Sequence, residues 1–157
     1  MRLEYFQLID RIVELDISAR TIRTEATVPQ ESTIFEGHFP GYPLMPGVLL
    51  LESMAQTSGW LIIALTKFER MPFLAAFKEA KLRSFIVPGQ QLSISAKLEH
   101  EGSGFAVVHA AITAEGKTAC NAEITFRVVP FPTPEFRVHM KEIAGRLEFP
   151  MGAVADG

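Results

Sequence analysis

The longest apolar pattern in the chain runs from Val48 to Thr66, VLLLESMAQTSGWLIIALT, with no Pro and one Gly. Most of its residues are good helix formers. Pro46-Gly47 stands at its mouth, and Pro suits a first helical turn because the N–H it lacks would have no acceptor there. The pattern predicts one helix of about five turns. It is apolar nearly all round, as expected of a helix wrapped by other structure. Downstream the period changes to two. Gln91 to Glu99 places Leu92, Ile94, Ala96 and Leu98 on one face, and Phe105 to Thr113 is the next strand. Thr118 to Val129 sets Cys120, Ala122, Ile124, Phe126 and Val128 against Asn121, Glu123, Thr125 and Arg127. Glu101-Gly102-Ser103-Gly104 and Ala114-Glu115-Gly116-Lys117 read as the intervening turns. Upstream, Arg20 to Val28 alternates as a half-exposed strand, and Leu3 to Ile12 predicts a short amphipathic helix with Leu3, Phe6 and Ile9 on one side. Ile34 and Phe35 lead into a loop. Pro72 to Phe77 is a short apolar run that reads as a strand, and Val87-Pro88-Gly89 is a turn.

One long apolar helix thus precedes an antiparallel meander. Wrapping the sheet around the helix buries both apolar surfaces at once, an α+β arrangement. Beyond the last strand, Pro130, Pro132 and Pro134 form a stiff connector. Glu135 to Leu147 then places Phe136, Met140, Ile143, Ala144 and Leu147 at helical spacing. This predicts an added C-terminal helix, which covers part of the domain or, alternatively, a substrate channel. We expect a single domain over residues 1–157, with a core over about 3–129 and the connector and helical extension over about 130–157.

Composition changes this picture little. At 48% hydrophobic and 21% charged the chain is an ordinary globular one, and a net charge of −3 predicts no bulk attraction to nucleic acid. Cys120 is the one cysteine, so no internal disulfide forms, and its place on the apolar side of a strand marks a small core residue. The N-terminal stretch MRLEYFQLIDRIVELD carries four acidic residues and no continuous apolar run, unlike a signal peptide. A cytoplasmic protein is expected. Leu49 to Leu65 is about long enough to span a bilayer. However, Glu52, Ser53, Gln56, Thr57 and Ser58 lie within it and no basic flank sets an orientation, so no membrane insertion is expected.

The candidate chemistry sits around the start of the helix. From Gly37 to Thr66 there is no Lys, Arg or Asp, and His38 and Glu52 are the only strongly ionisable groups. Glu52 either shares a solvent-facing stripe with Gln56, four residues on, or sits in an apolar setting that raises its pKa. Gln56 either is satisfied by a loop or holds Glu52 in place. Phe39, Val48 and the apolar helix residues either line a channel or belong to ordinary core. His38, His100, His109 and His139 are not at ligand-like spacings, so no metal is expected. No Gly-rich phosphate loop implies a nucleotide cofactor.

The stretch GHFPGYPLMPGVLLLESMAQTSG resembles the signature of the FabZ-type β-hydroxyacyl-acyl-carrier-protein dehydratases. His38, Phe39, Pro40, Gly41, Pro43, Met45, Pro46, Gly47, Glu52, Met54, Ala55 and Gln56 match it without a gap. FabA-type dehydratase/isomerases are similar but carry Asp where Glu52 stands. Two positions depart from the pattern: Tyr42 replaces a residue that is often basic, and Ser53 a common Ala. The resemblance implies a hotdog fold and dehydration of a β-hydroxyacyl chain in fatty acid synthesis. It implies His38 as base, Glu52 as acid and the Gly47 N–H as a donor to the enolate oxygen, roles these residue types suit. It also implies a homodimer, with a trimer of dimers open as a higher assembly, in which His38 of one subunit faces the partner's acid. The substrate partner is acyl carrier protein. Carrier proteins are acidic, so docking to this acidic chain calls for a local basic patch. Lys78, Lys81 and Arg83 are the densest candidate cluster, with a solvated strand edge as the alternative. An acyl thioesterase and a non-catalytic acyl or carrier-protein binding module are the rival functions.

Overall fold

A computed structural model describes residues 1–155. Six strands form one antiparallel sheet: β1 (Arg11–Asp16), β2 (Thr21–Thr27), β3 (Arg70–Leu82), β4 (Gln91–Gly102), β5 (Phe105–Ala114) and β6 (Lys117–Pro130). Their order across the sheet is β1-β2-β4-β5-β6-β3. Helices α1 (Thr33–Gly37) and α2 (Gly47–Leu65) lie between β2 and β3, and α3 (Pro134–Arg146) and the short α4 (Gly152–Ala155) follow β6. α2 packs against β2, β3, β4, β5 and β6. This is the hotdog arrangement.

The two-residue alternation explains why the sheet has one buried face. Leu92, Ile94, Ala96 and Leu98 of β4, Ala106, Val108, Ala110 and Ile112 of β5, and Cys120, Ala122, Ile124 and Phe126 of β6 are all buried. Register pairs Ala96 with Ala110 and Ala110 with Ala122, so a row of small side chains leaves room on the face that carries α2. Along α2, Leu49, Leu50, Met54, Leu61, Ile62 and Ile63 are buried, each contributing about 1.5–3 kcal/mol of hydrophobic stabilisation. Although α2 is long and apolar enough to cross a membrane, 12 of its 19 residues are buried inside the protein.

The buried hydroxyls of α2 are all satisfied. Ser53 donates to the Leu49 carbonyl at 3.0 Å and Ser58 to that of Met54 at 2.7 Å. Thr57 pairs with Thr24 of β2 at 2.7 Å. Burial pushes the Cys120 thiol up to about 11, as befits an inert core side chain.

Three local expectations are corrected. Leu3 to Ile12 is not a helix: a single 3-10 turn at Leu3–Tyr5 ends at Phe6 in the left-handed region (φ 56°). The chain then extends because β2 offers an edge, with the Asp10 N–H donating to the Glu25 carbonyl at 2.9 Å and β1 starting at Arg11. Burial of the consecutive Leu8 and Ile9 suits this path better than one helical face. Ile34 and Phe35 lie in α1, where Ser32 accepts from the Ile34 N–H at 3.1 Å. The Pro72–Phe77 run is the middle of the longer β3, whose polar second half pairs Lys78 with Glu123 and Lys81 with Asn121. The C-terminal helix forms as expected, capped by the Thr133 hydroxyl on the Phe136 N–H at 3.1 Å.

Replacing Thr57 by Val strands the buried Thr24 hydroxyl, and denaturant unfolding should show a loss of about 1–3 kcal/mol. Adding Thr24→Val removes the orphaned group and should recover most of the loss. A double variant no more stable than the single one would place the cost elsewhere.

Candidate active site

His38 is positioned from both sides of its backbone. Its N–H donates to the Ile34 carbonyl at 3.0 Å and closes α1, and its own carbonyl accepts from the Leu44 N–H at 2.9 Å. The start of α1 is tied to the N-terminus by Glu4. That carboxylate accepts from the Ser32 hydroxyl at 2.6 Å and the Thr33 N–H at 3.0 Å. The Ser32 hydroxyl, followed by backbone donors, holds the Glu4 carboxyl down at about 2. Phe39 and Tyr42 exchange backbone hydrogen bonds around Gly41, whose φ of +72° suits glycine. The Phe39 ring stacks on the imidazole at 4.2 Å between centroids.

The imidazole Nδ1 lies 2.9 Å from the Leu44 carbonyl oxygen. A carbonyl only accepts, so in the neutral ring Nδ1 carries the proton and Nε2 keeps the lone pair. The ring is therefore set up to take a proton at Nε2.

Nine residues after His38, α2 begins. Its N-cap is Pro46, which has no side-chain oxygen to offer. Leu49 and Leu50 donate to the Pro46 carbonyl at 3.0 and 3.3 Å. The N–H groups of Gly47 and Val48 have no acceptor within the helix, as at any helix start. A Cβ on Gly47 would meet the exposed Leu82 side chain at the end of β3, so the strand end lies close against this turn.

Glu52 and Gln56 line a cavity of about 440 Å³, within the size range of small-molecule sites. Its apolar walls include Phe6, Trp60, Ile63 and Leu74. Gln56 is pinned to the N-terminal segment: its amide donates to the Phe6 carbonyl at 2.9 Å, and its Oε1 accepts from the Leu8 N–H at 3.2 Å. The same amide nitrogen donates to Glu52 Oε1 at 3.3 Å. Burial raises the Glu52 carboxyl above the usual range, opposed in part by the Gln56 amide. The carboxyl therefore holds its proton more readily than an exposed glutamate does.

One chain does not bring all the expected site residues together. Glu52 and Gln56 line the cavity, whereas His38, Phe39, Gly47 and Val48 are not among its lining residues. Phe39 is 49% exposed and Val48 71% exposed. Lys78, Lys81 and Arg83 are exposed on β3 and just beyond it, and among the described residues none is in an ion pair. Among the described residues no three His, Cys, Asp or Glu side chains cluster as metal ligands. β3 pairs with β6 on one side only and is an edge of the sheet, with Phe73, Leu74 and Leu82 exposed. The cavity walls from Phe6, Ile9 and α3 were not foreseen as site residues. The half-apolar spacing of Met140, Ile143 and Leu147 was their one signal in the sequence.

A family model described as a FabA-like domain matches residues 2–123. The 3-hydroxyacyl-acyl-carrier-protein dehydratase FabZ of Clostridium acetobutylicum is 37% identical over 123 residues, covering 78% of this chain and 86% of that protein. The FabZ of Streptococcus suis is 38% identical over 124 residues, covering 77% and 86%. Among solved structures, a hypothetical thioesterase from Streptococcus pneumoniae with coenzyme A superposes with a TM-score of 0.62 at 18% identity, covering 76% of this chain and 85% of that one. Conserved protein PA5202 of Pseudomonas aeruginosa gives 0.63 at 20% identity, covering 80% and 93%. At such identities these structures establish the fold alone.

The raised Glu52 carboxyl has a consequence for stability. Folding favours its protonated form, so its contribution is complete below the unfolded carboxyl value and is lost as pH rises through the folded one. Thermal scans from acid to neutral pH should therefore show Glu52→Gln gaining on wild type as pH rises. A variant that instead falls behind wild type as pH rises would mean that the fold stabilises the anion.

Proposed function

Because the chain belongs to the family of FabA-like domains, we propose that it dehydrates β-hydroxyacyl chains on acyl carrier protein to trans-2-enoyl chains in fatty acid synthesis. The observation that carries this reading is the His38 tautomer, with Nδ1 committed to the Leu44 carbonyl and Nε2 left to accept a proton. His38 Nε2 removes the proton from the carbon beside the thioester carbonyl. The Gly47 N–H at the start of α2 stabilises the enolate oxygen, helped by the positive end of the helix dipole. Glu52 gives its proton to the departing hydroxyl, which leaves as water. Gln56 keeps Glu52 in register from its anchor on the N-terminal segment. Phe39 and Val48 border the substrate at the subunit seam.

The site is composite between two chains. His38 lies off the cavity that Glu52 lines, and β3 offers an unpaired, partly apolar edge of the kind that seeks a partner. A two-fold dimer across that side would set His38 of each subunit opposite the other's acid and generate two equivalent sites. The carrier docks on Lys78, Lys81 and Arg83. Leu82, between the last two, lies against Gly47, so the patch flanks the helix start where the thioester carbonyl is held. The reaction runs in the cytoplasm.

His38→Ala and Glu52→Gln should each lose turnover by roughly a hundredfold or more. Equal mixing of the two variants with subunit exchange should restore roughly a quarter of wild-type activity, since half the dimers are mixed and each holds one intact site. No recovery after verified exchange would refute the composite site. Ultraviolet absorption of an enoyl product identifies the dehydratase, whereas release of free thiol would instead identify a thioesterase.

Charge reversal at Lys81 and Arg83 should raise the Michaelis constant for carrier-bound substrate more than for a short pantetheine thioester. Equal effects on both would refute the docking patch.

A further inference from the structure

The cavity that holds Glu52 does not end in the sheet. One face of α3 forms part of its wall, with Met140, Ile143 and Leu147 turned inward and His139 and Arg146 beside them. These positions recur with helical spacing, so a single stripe of the helix looks into the cavity. The helix is firmly seated there. Arg137 donates to the Phe68 carbonyl and to Glu69, both at 2.6 Å, just past the end of α2. Phe149 packs edge-on against Phe68 at 5.2 Å and lies 6.1 Å from Trp60. The Leu147 carbonyl accepts from the Ile12 N–H at 2.8 Å. Ala144 and Leu147 are buried in the core, whereas Met140 and Ile143 are only partly buried. Two apolar side chains therefore remain incompletely covered where they face the cavity. α3 lies wholly outside residues 2–123, the part matched by the family model.

We propose that α3 is the distal wall of the acyl chamber, and that Met140 and Ile143, facing Trp60 and Ile63 of α2, contact the far part of the alkyl chain and set chain-length selectivity. This rests on the dehydratase reading. Trp60 and Ile63 lie eight and eleven residues beyond Glu52, or about 12 and 16 Å along the helix at 1.5 Å per residue. An extended chain advances roughly 1.2 Å per bond, by the geometry of a stretched backbone. Held at Glu52 by its hydroxyl carbon, a butyryl chain extends one bond further, about 1 Å, whereas a myristoyl chain extends eleven bonds, about 13 Å, far enough to pass Trp60, which lines the cavity together with α3. The apolar stripe offers that chain burial, and the polar ends of His139 and Arg146 remain at the solvent side.

The test compares β-hydroxybutyryl and β-hydroxymyristoyl carrier substrates on the full chain. Met140→Trp, which fills the chamber, should lower kcat/KM for the long substrate relative to the short one by roughly tenfold or more, as for other misfits in apolar pockets. Met140→Ala, which keeps the helix and removes contact, should lower the same ratio by a smaller factor. An unchanged ratio in both variants would overturn the proposal. A second measurement needs no variant and no turnover: a myristoyl pantetheine thioester with a terminal diazirine, photolysed on wild-type protein and mapped by peptide mass spectrometry. Labels on residues 134–147 support the wall, and labels confined to the sheet overturn it. Labelling of α3 on a protein that gives no enoyl product from either β-hydroxyacyl carrier substrate would keep the chamber and refute the dehydratase reading instead.

Discussion

The structure depends on burying α2. A helix that is apolar nearly all round has no stable place at a surface, and the sheet exists in part to cover it. The alternating strands supply one apolar face, and the small row Ala96, Ala110, Ala122 leaves space on it. Burial at this depth demands that every hydroxyl on the helix find a hydrogen-bond partner, and Ser53, Thr57 and Ser58 do. What the sheet leaves uncovered is the stripe that carries Glu52 and Gln56. The chemistry sits on that stripe because a carboxyl there can border apolar surface without being sealed in.

The electrostatics follow from that placement. Glu52 has its proton affinity raised because apolar walls disfavour its anion, while the Gln56 amide limits the effect. His38 is controlled by hydrogen bonding instead: a backbone carbonyl selects its tautomer. Burial tunes one group and backbone geometry orients the other, and the chain keeps them in different surroundings. The proposed dimer would bring together an acid and a base that one chain holds apart.

The two ends of the chain share in building the cavity. The N-terminal segment hydrogen-bonds Gln56 through Phe6 and Leu8, and β1 begins where Ile12 meets the end of α3 at Leu147. Segments at the extremes of the sequence thus meet over the open side of α2. Pairing of such long sequence separation is a tertiary event, stabilised by the burial of Leu3, Leu8, Ile12, Leu147 and Phe149 in the common core.

The limits of α2, the strands β2, β4, β5 and β6, and the C-terminal helix were legible in the sequence because each carries a local period of 3.6 or 2 that burial enforces. The His38 and Glu52 candidates were legible because two ionisable groups stand out in an apolar stretch, and the motif around them identified the family. Leu3 to Ile12 was misread because its spacing fits a helix as well as an extended segment, and only the free edge of β2 decides between them. The second half of β3 was missed because its side chains are exposed; its strand character comes from hydrogen bonds to β6, which leave no mark in local hydropathy. The tautomer of His38 was beyond the sequence, which left open both whether Glu52 sits in an apolar setting and whether the C-terminal helix covers a channel. Each depends on which distant atoms arrive within a few ångströms, and only the packed chain sets those distances.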